Sequence, residues 1–146
     1  MNIQSKKNKL VTVISFLTIA MAFALLVIVF YWVLKPYKLL VINERPLPVM
    51  NKVVKRGDTV NYVLDYCKYT DKQAVVSKKF SDGIEFALPD YRSNNPEGCR
   101  TQIVATEVPH TLPEGKYILI ADYTYQVNPI RWIVVRTHTQ VFEVIE

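Results

Sequence analysis

Lys116 to Val127 reads KYILIADYTYQV, and Tyr117, Leu119, Ala121, Tyr123 and Tyr125 fall on every second position. Successive side chains of an extended strand point to opposite faces, so this spacing is that of a strand with one buried face. Thr59 to Tyr69, TVNYVLDYCKY, repeats the pattern with Val60, Tyr62, Leu64 and Tyr66. Ile84, Phe86 and Leu88 alternate in the same way. Lys38 to Asn43, Ala74 to Phe80, Ile103 to Val108 and Trp132 to Val144 are further extended segments. Turn chemistry separates them: Arg56-Gly57-Asp58, Ser81-Asp82-Gly83, Asn94-Asn95-Pro96-Glu97-Gly98, Pro113-Glu114-Gly115 and Asn128-Pro129. About seven short strands with turns at this spacing predict an antiparallel β-sandwich.

Upstream the pattern changes. Leu10 to Leu34 is an uncharged apolar run, LVTVISFLTIAMAFALLVIVFYWVL. As a helix it would rise about 37 Å, against about 30 Å for the hydrocarbon core of a bilayer. The predicted organisation is a short cytoplasmic tail over 1–9, a transmembrane helix over 10–34, a linker over 35–37 and an extracytoplasmic domain over 38–146. All eight prolines follow the run, which argues against further helices. A linker of Lys35-Pro36-Tyr37 reaches about 10 Å, which predicts a domain held close to the membrane surface.

Lys6, Lys7 and Lys9 precede the run, whereas Lys35 and Lys38 follow it. By the positive-inside rule the N-terminus is cytoplasmic. Phe30, Tyr31, Trp32 and Tyr37 read as an interfacial aromatic belt at the outer end. Ala22-Phe23-Ala24 has the small-x-small form of a signal-peptidase site, but cleavage there would leave LLVIVFYWVL as an exposed apolar N-terminus. The run therefore reads as an uncleaved signal-anchor.

The net charge of +5 has the same origin. From Lys38 onward fourteen Lys and Arg meet all thirteen acids, so the exterior domain is nearly neutral. The excess is a topology signal and no nucleic-acid footprint. Cys67 and Cys99 are the only cysteines; in an oxidising compartment such a pair forms a disulfide, here between the second strand and a loop.

Chemistry is sparse. His110 and His138 match no metal-ligand spacing with the cysteines, and no serine lies in a nucleophile elbow. No phosphate loop, dinucleotide fingerprint or metalloprotease motif occurs. The reading is no enzyme, no cofactor, no metal and no evident small-molecule substrate. Nine tyrosines point to surface recognition, because a phenol offers an apolar face with a polar tip. Tyr62, Tyr66, Tyr69, Tyr117, Tyr123 and Tyr125 are mostly core candidates by alternation. Tyr91 and Arg92, in the long loop before Cys99, and Asn128, Ile130 and Arg131, at a hairpin tip, are the candidate partner contacts.

Two resemblances extend this reading. Leu112-Pro113-Glu114-Gly115-Lys116-Tyr117 resembles the tyrosine corner of immunoglobulin-like sandwiches, in which a Tyr hydroxyl ties a connecting loop to the strand it enters. Tyr66-Cys67-Lys68-Tyr69, Phe80-Ser81-Asp82-Gly83, Pro96-Glu97-Gly98-Cys99, the same Leu112–Tyr117 segment and Tyr125-Gln126-Val127-Asn128-Pro129-Ile130-Arg131 together resemble small single-pass membrane proteins of unknown function encoded by bacteriophages. That resemblance implies a bacterial inner membrane with a periplasmic domain, and carries no activity or site residues. The expected function is a membrane-anchored protein-interaction module at the bacterial envelope, contacting the bilayer through its helix. The alternative is a self-associating structural component of a virion or envelope assembly.

Overall fold

The computed structural model describes residues 3–146, with side chains from residue 11 onward. Lys6, Lys7 and Lys9, on which the orientation reading rests, therefore lie outside the described side chains. The chain forms two units, 1–36 and 37–146.

The first unit is one helix, α1 (Ile3–Leu34). Its stretch Val11–Leu34 is long and apolar enough to cross a membrane, and none of its hydrophobic window is buried within the protein.

The second unit is all-β. Its strands are β1 (Leu40–Ile42), β2 (Val53–Lys55), β3 (Thr59–Lys68), β4 (Ala74–Ser81), β5 (Glu85–Ala87), β6 (Tyr91–Ser93), β7 (Gly98–Glu107), β8 (Gly115–Asn128), β9 (Arg131–His138) and β10 (Phe142–Ile145). One sheet has the order β1-β3-β7. The other runs β2-β10-β8-β4-β5, with β6 also on β4 and β9 also on β8. All pairings are antiparallel except β2 with β10.

The alternation read from the sequence decides which face is buried. Val60, Tyr62, Leu64 and Tyr66 of β3 join Tyr117, Leu119, Ala121, Tyr123 and Tyr125 of β8 in a single apolar cluster. Phe80 of β4 sits at its centre, edge-on to Tyr117 at 6.5 Å and to Phe142 at 6.0 Å. Such edge-to-face pairs stabilise beyond the area they bury.

The two sheets are joined differently along their two sides. On one side the chain itself passes between them: Leu47 bridges to Thr139 and Val49 to Tyr62. Backbone hydrogen bonds from Leu47 to His138 and from Val63 to Pro48 hold the crossing. On the other side, between β4 and β7, the chain crosses again from β6 to β7 through residues 94–97, and a side-chain contact described below adds to it.

Several expectations are corrected. Trp132 to Val144 is two strands, β9 and β10, broken at buried Thr139, whose Oγ1 accepts the Leu119 N–H while its own N–H donates to the Leu119 carbonyl. Cys99 lies within β7 and not in a loop, since polar Gly98–Gln102 pairs in register with β3. Its sulfur is at disulfide-bonding distance from Cys67, the residue directly opposite. Tyr91 and Arg92 form β6 on β4 and are not in a loop. Tyr69, placed on the core face, is 49% exposed because it is out of phase with the buried series Val60, Tyr62, Leu64, Tyr66 and Lys68; the Lys38 ammonium lies 4.3 Å from its ring. Tyr37, grouped with the aromatic belt, packs against the core of the β unit, with the Arg131 guanidinium 5.6 Å from its ring. The Tyr117 hydroxyl makes no hydrogen bond back to the Leu112–Gly115 loop, so the corner's defining bond is missing although Gly115 lies against the ring.

Candidate functional site

β4 carries Ala74, Val76, Lys78 and Phe80 on its inward face. Three of the four are ordinary core residues; the third position is a lysine, only 7% exposed. A buried ammonium is costly unless its donors are met. Lys78 Nζ donates to Thr106 Oγ1 of β7 at 2.8 Å. The ring centroids of Tyr62 and Tyr91 lie 5.6 and 5.2 Å from the same nitrogen, within cation–π range. Among the described residues no carboxylate pairs with it.

A cavity of about 400 Å³ opens beside this nitrogen. Leu88, Pro89, Tyr91 and Pro109 line it, together with Ala105, Thr106 and Glu107 of β7. The β5–β6 connection is fixed over it by the Leu88 N–H, which donates to the Lys78 carbonyl at 2.8 Å. Burial pushes the Lys78 ammonium down from its ordinary 10.5 to about 8. Burial also pushes the Tyr62 and Tyr91 phenols up, so both stay neutral beside it.

Of the sequence-predicted contacts, Tyr91 belongs to this cavity, whereas its neighbour Arg92 faces the other side of the sheet. There Arg92 lines a smaller hollow of about 230 Å³ with Val75, Thr124, Gln126 and Trp132. Register explains the grouping: Val75 pairs with both Arg92 and Thr124, and Gln126 pairs with Trp132. Trp132 and Val134 of β9 are 56% and 54% exposed, and Ile130 at the hairpin tip is 55% exposed. Asn128 shapes that tip, its Oδ1 accepting the Ile130 N–H at 3.1 Å. Arg131 turns instead toward Tyr37. The structure thus joins Arg92 to the β9 face, and separates Tyr91 and Arg131 from it.

Lys78 was not among the sequence-predicted residues. Its signal was present: in AVVSKKFS the period of two puts it on the face of Val76 and Phe80. Trp132 was missed as a contact because its strand was read without the register that exposes it.

The chain matches no protein-family model and no curated protein sequence.

Proposed function

We propose that this chain is a single-pass membrane protein of the bacterial inner membrane, with a cytoplasmic N-terminus and a periplasmic, immunoglobulin-like domain that binds a protein partner. The observation that carries the binding reading is the outer face of β9: Trp132, Val134 and Ile130 exposed together beside Arg92. Trp and Arg are the residues most enriched where interface energy concentrates. The fitting partner offers an apolar surface with a carboxylate opposite Arg92. The lysine margin around the apolar run and the Cys67–Cys99 pair both favour the periplasmic orientation. The order β1-β3-β7 against β2-β10-β8-β4-β5, with β2 parallel to β10, favours the immunoglobulin-like reading. The resemblance to phage-encoded membrane proteins favours action at the envelope during infection.

A second reading has its own support. β9 pairs with β8 alone along Arg131–Thr137, which leaves a strand edge for a second copy. Photocrosslinking in intact cells from position 130, with Trp132→Ala and Arg92→Ala as variants, separates the readings. A heterologous product lost in both variants supports the module. A ladder of self-products supports the structural reading, and absence of any product overturns both.

A further inference from the structure

The geometry points to a second site, independent of the β9 face: the Lys78 cavity binds a monocarboxylate carried on a small apolar body. An ammonium has three donors, and Thr106 Oγ1 takes one of them. Two tyrosine rings stand against the same nitrogen and supply no hydrogen-bond acceptor from their faces. A charge so deeply buried is ordinarily paired, because an ion sheds most of its hydration there. Here the position opposite the nitrogen is a cavity and not a carboxylate. A carboxylate entering it would supply the missing counter-charge in surroundings where Coulomb attraction is strong.

The walls state what the carboxylate is attached to. Leu88, Pro89, Pro109 and the Tyr91 ring give an apolar lining that is already formed, since the loop is tied to the Lys78 carbonyl. Rigid rings and prolines lose little freedom on binding. A volume of about 400 Å³ lies near the lower end for ligand cavities, which suits one amino-acid residue or one aromatic ring. The same chemistry is presented by the carboxy-terminal residue of a peptide and by a free organic acid.

The test is an NMR titration of the full chain in detergent micelles, following the Lys78 ε-methylene and Tyr91 ring signals. The probes are N-acetyl-leucine against N-acetyl-leucinamide, and benzoate against benzamide. Binding of either acid, at least about 10-fold tighter than its amide, is the expected result. Response to N-acetyl-leucine alone assigns a peptide terminus, and response to both acids assigns free organic acids as well. The amide comparison uses the wild-type chain and needs no variant. Lys78→Met, which keeps the length and removes the charge, should abolish the preference for acid. Equal binding of acid and amide, unchanged binding in Lys78→Met, or no response to either acid overturns the assignment.

Discussion

Lys78 of β4 and Thr106 of β7 form a hydrogen bond of 2.8 Å that ties one sheet to the other. Removing only the acceptor should be worse than removing the pair. Thr106→Val leaves the ammonium without its hydroxyl and should cost about 1–3 kcal/mol, whereas Lys78→Met with Thr106→Val should be close to neutral. Denaturant unfolding of the single and double variants checks the cycle; additive losses would mean that the bond contributes no coupling.

The same lysine sets a pH dependence with a definite sign. Its folded value is about 8 against an ordinary 10.5. Between these values the unfolded chain still holds a proton that the folded chain has released, so stability rises with pH. The buried Tyr62 and Tyr123 phenols are held above their ordinary 10.0, and oppose this once the unfolded phenols ionise. Thermal stability should therefore climb from pH 8 to near 10 and then fall. In Lys78→Met the climb should vanish, as scans at several pH values will record.

Asp122 and Arg136 make a two-pronged cross-strand pair, at 2.7 and 2.8 Å. The hydrogen bonds from Arg136 hold the Asp122 carboxyl below its ordinary 3.8. The pair therefore contributes above that pH, and its contribution is lost as pH falls through the lower folded value. Because Arg136 is solvent-exposed, Asp122→Asn should cost little stability at neutral pH. Its melting curve should converge on wild type in acid.

Cys67 and Cys99 are separated by 32 residues. Closing such a loop stabilises by about 3–4 kcal/mol in the chain-entropy model. Replacing both with serine should lower unfolding stability by that order. Labelling the unreduced native chain with a thiol reagent should add no mass.

Gly57 adopts φ +80°, and the His110 ring occupies the space that a Cβ would take. Gly57→Ala should destabilise by about 1–2 kcal/mol or more, since the backbone cost adds to the clash. Adding His110→Ala should recover only the clash, which the two melting temperatures will separate.

Long strands were legible, as were the short β1 and β5, whereas β2 and β6 were not. Thr59–Tyr69 and Lys116–Val127 match β3 and β8 within a residue or two because each carries a full period-two series. β2 and β6 are three residues each, too short to show a period, and exist because β10 and β4 offer them free edges. The polar start of β7 pairs because β3 continues opposite it, a non-local reason. Candidate contacts suffered from the same limit. Tyr91 and Arg92 are sequence neighbours on opposite faces, so reading them together as loop residues merged two environments. Lys78 was overlooked because charge suggests solvent, although its strand phase assigned it inward.

The crossing at Leu47–Val49 has a mechanical consequence. Main chain fastens the two sheets along that seam and again where residues 94–97 carry β6 into β7, with Lys68 Nζ donating to the Asn95 carbonyl and Lys78 to Thr106 beside it. Neither seam is a free edge. The sheets should therefore part only together, with the amides around Leu47, Val63 and Thr106 exchanging as one cooperative unit.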